Sequence, residues 1–198
     1  MRPPCLQRSL TAAAALAAAA LVSRAHAGHG DIAGLGDGIL HVTSGNVFML
    51  GAVAVGIWAM AFPWKRAWIL SVVFVAAMAA GAWAGLGRPR EEGVEIVVVA
   101  SLVVMGALIM RANAFSLPGA VAICLVFGAL HGYAHGTEAG QSGAFGAHVG
   151  GLTIATAALA IAGMALGLML RLSSRYGLRI AGALVALAGL WFAAGLAR

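Results

Sequence analysis

The sequence predicts an all-α integral membrane protein, a bundle of six transmembrane helices that follows an N-terminal signal peptide. Of the 198 residues, 62% are hydrophobic and only 9% are charged, whereas a soluble domain carries about 25% charged residues. The apolar runs are each long enough to cross a bilayer, and short polar segments separate them. The net charge of +6 does not indicate nucleic-acid binding, because the arginines lie in short loops rather than in a basic patch with interleaved aromatic side chains.

Residues 1–27 have the parts of a secretory signal peptide. Two arginines give a basic start, and the apolar stretch that follows is too short to span a bilayer. Small residues then offer cleavage after Ala25 or after Ala27. An uncleaved first helix is the alternative. Residues 28–198 are predicted to form a single membrane domain, because no linker within them is long enough to divide the chain.

Six apolar segments follow in order, and turn or charge signals mark their ends. The first stops at Pro63, a Gly-Arg-Pro-Arg link follows the second, and a glycine-rich link joins the fourth to the fifth. The predicted spans are residues 40–62, 67–86, 93–110, 117–135, 144–170 and 178–196.

The charged links predict how these spans cross the bacterial inner membrane. A cleaved signal peptide places the mature N-terminus in the periplasm, so alternate links face the cytoplasm. The cytoplasmic links then carry the basic residues that the positive-inside rule requires. These residues are Lys65, Arg66, Arg111, Arg171, Arg175 and Arg179. The same arrangement places the histidines of the mature chain on the periplasmic side.

The segment His131-Gly-Tyr-Ala-His135-Gly-Thr-Glu138 ends the fourth apolar run. On a helix, its two imidazoles and its carboxylate project within about 60° of one another. This set of ligands suits Ni²⁺, Co²⁺, Cu²⁺ or Zn²⁺, and the sequence does not choose among them. Ionisable groups are costly inside a membrane, so the segment predicts a functional site. A hydrogen-bonded cluster that closes the end of the helix is the alternative.

Four other residues on the same predicted side are candidate metal ligands. Glu95 lies just inside the third run, and two roles are open for it: a ligand or proton acceptor, or an ordinary helix-start carboxylate. His41 opens the first helix, and an interfacial position is its alternative role. His148 opens the fifth helix, and His29 belongs to a His-Gly-Asp segment near the mature N-terminus that suits metal capture.

Glycines recur every four residues, a spacing that lets helix backbones approach closely in a membrane. The pattern predicts that the fourth helix makes a close contact beside its histidine stripe. The glycines concerned are Gly128, Gly132, Gly136 and Gly140 on or after the fourth helix, Gly81 and Gly85 on the second, and Gly163 and Gly167 on the fifth.

The segment Gly140-Gln-Ser142-Gly143 is similar to the nucleophile motif of rhomboid intramembrane proteases. Those enzymes also need a histidine base on a later spanning helix. The only histidine after Ser142 is His148, at the start of the very next helix. An intramembrane serine hydrolase is therefore the least favoured hypothesis, and the chain is predicted not to be an enzyme.

The whole chain resembles the HupE/UreJ family of bacterial membrane proteins, which are associated with hydrogenase and urease gene clusters and regarded as nickel or cobalt permeases or accessory proteins. The most specific likeness is Leu130 to Glu138, which matches the family pattern F-H-G-x-A-H-G-x-E except at its first position. The resemblance implies a main metal site at His131, His135 and Glu138, with His41 and Glu95 contributing. It implies Ni²⁺ or Co²⁺ as the ion and no tightly bound cofactor. Its expected partners are the lipid bilayer and metalloenzyme maturation proteins.

The first helix departs from that family, whose pattern here is H-P-x-x-G-x-D-H. His41 and Gly45 are kept, but Val47 and Phe48 stand where the family has aspartate and histidine. A non-transporting binding or assembly protein that kept the fold is therefore the alternative to a permease. The chain has no phosphate-binding loop of the form G-x-x-x-x-G-K-[ST], so transport would be facilitated or coupled to another ion.

Overall fold

The computed structural model describes residues 34–89, 92–111, 115–139 and 144–196, and these form seven α-helices and no strand. The chain divides into two units, Met1–Gly30 and Asp31–Arg198, and the described residues all belong to the second. The helices are α1 Leu35–Ser44, α2 Asn46–Ala59, α3 Trp64–Gly85, α4 Glu92–Arg111, α5 Leu117–Glu138, α6 Phe145–Ser173 and α7 Gly177–Leu196. The predicted signal peptide, His29 and Ser142 lie outside the described residues.

The described helices have the lengths and the surface of a multi-pass membrane protein. Five of them, α3 to α7, are long and apolar enough to cross a membrane, and α1 with α2 supplies a sixth span if the two count as one. Large apolar side chains face outward, with Leu172 77% exposed and Trp191 76% exposed, whereas His135 and His148 are 1% exposed. Lipid solvates an apolar surface of this kind and excludes unpaired polar groups. The all-α membrane fold predicted from composition is confirmed.

The first predicted span contains a sharp bend. α1 ends at Ser44, α2 begins at Asn46, and the two helix axes differ by 84°. Between them Gly45 adopts extended backbone angles, with φ −81° and ψ 96°, so the chain changes direction there although the Gly45 amide still bonds to the His41 carbonyl. The expectation of one continuous helix over residues 40–62 is corrected at this point, because hydropathy measures the length of an apolar run and carries no signal for a bend within it.

Glycine contacts hold α5 against α3. Three glycines of α5, spaced four residues apart, meet backbone carbonyl oxygens of α3 so closely that an added Cβ would overlap them. The pairs are Gly128 with Phe74, Gly132 with Met78, and Gly136 with Ala82. The partners advance in the same order on both helices, so α3 and α5 run parallel. The close contact predicted beside the histidine stripe is confirmed for these three glycines.

Two further glycine-mediated pairs complete the bundle. α6 runs parallel to α2, with Gly163 against Val53 and Gly167 against Ile57, and it also contacts α1, with Gly151 against Leu35. α4 and α7 run antiparallel. Gly106 lies on α4 and Gly189 on α7, and along their contact the residue numbers rise on one helix as they fall on the other. In consequence α1, the end of α5 and the beginning of α6 come together at one end of the bundle.

Candidate metal site

α5 carries the predicted histidine stripe as a continuous helix. It begins at Leu117 with a Ser116 cap, whose hydroxyl oxygen accepts a hydrogen bond from the Gly119 amide, and it continues to Glu138. The predicted fourth span stopped three residues earlier, at residue 135. Because helix α5 includes Glu138, all three predicted side chains rise from neighbouring turns of one helix.

The bend at Gly45 brings His41 of α1 onto the end of α5. His41 Nε2 lies 3.1 Å from Glu138 Oε2, an ion pair if the imidazole is protonated. The ring centroids of His41 and His135 are 4.9 Å apart. One ligand atom from each of His41, His135 and Glu138 lies within 4.8 Å of the other two. We call these three residues the His–Glu group.

The His–Glu group has the donor types and nearly the spacing of a metal site. Two nitrogen or oxygen ligands bound about 2.0–2.2 Å from one ion lie roughly 3–4 Å from each other. The 4.8 Å spread therefore requires only a small inward movement of side chains. Two imidazoles and one carboxylate are a borderline donor set that first-row divalent ions accept.

His148 approaches the His–Glu group from the first turn of α6. Its ring centroid is 5.7 Å from that of His41, and the side chain is 1% exposed. Neither of its ring nitrogens has a hydrogen-bond partner within the described part of the chain, and the same holds for His135 Nδ1. Because buried polar atoms are nearly always hydrogen-bonded, these atoms point to a missing partner. Coordination by a metal ion would supply one.

His131 lies apart from the His–Glu group, although the sequence predicted it as a principal ligand. Its Nδ1 donates a hydrogen bond to the carbonyl oxygen of Phe127 at 2.8 Å, because a carbonyl can only accept. In the neutral imidazole, Nε2 then carries the free lone pair. Nε2 faces Gly51, where a Cβ would lie 2.9 Å from it. A role for His131 in metal binding stays a prediction.

Glu95 lies on the rim of the site. The carboxylate is exposed and lines a cavity of about 70 Å³ together with Glu138, between α2, α4 and α5. Such a volume holds several water molecules. Glu95 and Glu138 therefore face the same cavity. Val47 and Phe48 line the same cavity.

Phe48 is the contact that sequence reasoning missed. In the sequence Phe48 stands only at the position of a lost ligand, yet its ring centroid lies 4.0 Å from that of His135 and 5.8 Å from that of His131. The first turn of α2 carries Phe48, so the bend at Gly45 sets its direction as well as that of His41. The sequence did carry a signal for this contact: Phe48 aligns with a ligand position of the family pattern, which implies that its side chain faces the site.

The chain matches the HupE / UreJ protein family over residues 13–192. A curated relative, Protein HupE of Rhizobium leguminosarum bv. viciae, is 35% identical over 188 residues, which cover 88% of this chain and 92% of the relative. No solved structure matches the chain significantly.

Proposed function

This chain belongs to the HupE/UreJ family, and we propose that it captures a divalent metal ion, Ni²⁺ or Co²⁺, and passes it across the bacterial inner membrane. One observation carries the proposal: His41, His135 and Glu138 from two separate helices converge within 4.8 Å. The association of the family with nickel and cobalt uptake supports this choice of ions.

The chemistry of the His–Glu group suits a borderline divalent ion. Two neutral imidazoles bind by nitrogen, and an ionised carboxylate offsets part of the ion's charge. His148 offers a further nitrogen 5.7 Å away, measured between ring centroids. Water molecules in the cavity beside Glu138 would complete the coordination of the ion.

The proposed direction of transfer is from the periplasm inward. Positive charge on alternate links supports a cytoplasmic location for the opposite ends of the helices. The ion would then meet Glu95 first and the His–Glu group next. Without a phosphate-binding loop for ATP, the ion would move by facilitated or ion-coupled transport, and metalloenzyme maturation proteins would receive it.

Uptake by whole cells at low external metal tests the proposal. His135→Ala and Glu138→Ala should each abolish accumulation of radioactive nickel and cobalt, because each removes a ligand. Thr43→Ala is the matched control, since Thr43 lies two residues after His41, is exposed, and donates its hydroxyl only to carbonyls of its own helix. Uptake that is unchanged in both ligand variants would contradict transport through this site.

A second candidate function is metal binding or assembly without transport. The apolar side chains of Val47 and Phe48 in the cavity wall favour it, since a cation gains little by passing them. The double substitution Val47→Asp with Phe48→His discriminates between the two functions. A gain in uptake would mean that the pathway had decayed, and no change would mean that the ion uses a different route.

A further inference from the structure

We propose that Phe48 is an aromatic barrier that holds a captured ion at the His–Glu group and keeps it from His131, the next imidazole along α5. The inference rests on the proposed function, because it assigns an internal gate to the same metal site. It concerns a residue that is not itself a ligand for nickel or cobalt.

One ring lies against both imidazoles. The Phe48 and His135 centroids are 4.0 Å apart with the ring planes tilted by 38°, a contact close to stacking. The Phe48 and His131 centroids are 5.8 Å apart with the planes at 79°, an edge contact. His131 and His135 are one helical turn apart, so the Phe48 ring covers the step from one imidazole to the other.

His131 has the properties of an inner ligand that the ring shields. It is 3% exposed, and the Phe127 carbonyl binds Nδ1 and leaves the Nε2 lone pair free. Within the described residues Nε2 has no hydrogen-bond partner. A buried nitrogen without a hydrogen-bond partner destabilises the fold unless it binds another group, such as a metal ion. An ion leaving His135 for His131 would have to displace the Phe48 ring.

The surroundings of Phe48 allow that displacement. Two glycines of this helical region lie near the ring and the inner imidazole: a Cβ at Gly45 would be 3.0 Å from Phe48 Cδ2, and one at Gly51 would be 2.9 Å from His131 Nε2. On another side the ring borders the 70 Å³ cavity. A rotation about the Phe48 side-chain bonds would move the ring toward that cavity and expose His131.

Nickel flux into proteoliposomes that contain the full chain and an internal metal-sensitive dye tests the barrier. Phe48→Ala should raise the initial rate about fivefold or more, while Ni²⁺ binding to the same protein in detergent stays within about threefold of wild type. Phe48→Leu, which keeps more of the apolar volume, should give an intermediate rate and serves if the alanine variant does not fold. Phe127→Leu is the matched control on α5, since the partly buried Phe127 side chain packs against the hydrophobic core, and its rate should stay within about twofold.

A metal-free measurement separates failure of the barrier from failure of the proposed function. Diethyl pyrocarbonate modifies accessible unprotonated imidazoles, and peptide mass spectrometry reports the extent at His131. We expect His131 to be protected in wild type and in Phe127→Leu, and to be modified in Phe48→Ala and Phe48→Leu. Equal modification of His131 in all four proteins would overturn the barrier, as would an unchanged flux in both Phe48 variants with binding intact. A wild-type protein that binds no Ni²⁺ would instead refute the proposed function, and the modification pattern would still decide whether Phe48 shields His131.

Discussion

Helix α5 has two adjacent faces, one that packs tightly through glycines and one that carries a buried polar side chain. On one face Gly128, Gly132 and Gly136 press against backbone carbonyls of α3 and leave no space. On the other, about 100° around the helix, His135 keeps a buried ring nitrogen without a hydrogen-bond partner in the described part of the chain. The glycine face is fully packed against α3, whereas the ligand face keeps a buried ring nitrogen available to coordinate an ion.

The difference follows from the physics of a lipid solvent. Apolar side chains gain little by leaving lipid for a protein interior, so helices associate through close van der Waals contact between small residues. Unpaired polar groups are costly there and are kept where they serve a function. We therefore expect damage to the glycine face to destroy the fold, and damage to the ligand face to destroy metal binding while the fold remains.

The largest expected effect comes from filling the glycine face. Gly132→Leu should prevent stable folding or lower the free energy of unfolding by about 3 kcal/mol or more, because even a Cβ at this position overlaps the Met78 carbonyl oxygen. Gly150→Leu on α6 is the control, since a Cβ there meets no atom within 4 Å. Size-exclusion profiles in detergent and thermal midpoints give the measurement. A Gly132→Leu protein with a wild-type midpoint would show that this contact does not position the helices.

The next effect should be confined to the ligand face. Glu138→Gln removes the negative charge but nearly preserves the shape, and it should weaken Ni²⁺ binding at least about tenfold, or about 1.4 kcal/mol. The thermal midpoint of the metal-free protein should change little. Equilibrium dialysis and thermal unfolding measure the two quantities. If both fell together, the two faces of α5 would not be separable.

Metal binding should also respond to pH, because protons compete with the ion for imidazole nitrogens. The His–Glu group binds an ion only through unprotonated imidazole nitrogens, so Ni²⁺ affinity should fall as the pH is lowered from 7.5 to 5.5. Glu138→Gln keeps both imidazoles and should show a similar slope from a lower starting affinity. Titrations at several pH values check this, and an affinity that does not depend on pH would exclude histidine ligation.

The smallest effect should come from the rim of the site. Glu95→Gln should slow Ni²⁺ capture by only about two- to fivefold, because an exposed charge acts on an approaching ion through water and is screened by salt. The difference from wild type should shrink at high ionic strength. Stopped-flow binding at low and high salt measures it. A loss as large as that of Glu138→Gln would make Glu95 a direct ligand.

Much of this arrangement follows from local sequence. Length and apolarity predicted the membrane-spanning helices, and glycines at a spacing of four predicted that α5 makes a close helix contact, without naming α3 as its partner. The positions of His135 and Glu138 on one helical stripe followed from helix periodicity alone. These properties depend on residues close together in the chain, or on a solvent that acts on all residues alike.

The tertiary structure decided which residues meet. The 84° bend at Gly45 directs α1 onto α6, where Gly38 contacts the His148 backbone, and residues about 110 positions apart make that contact. The bend brings His41 to Glu138 and the Phe48 ring to His135. His131 bonds through Nδ1 to the Phe127 carbonyl one turn back on its own helix, but its Nε2 faces Gly51 of α2, a contact between residues about 80 positions apart. The sequence by itself determined the donor types and placed His135 and Glu138 on one helix, and only packing between distant segments brought His41 to them.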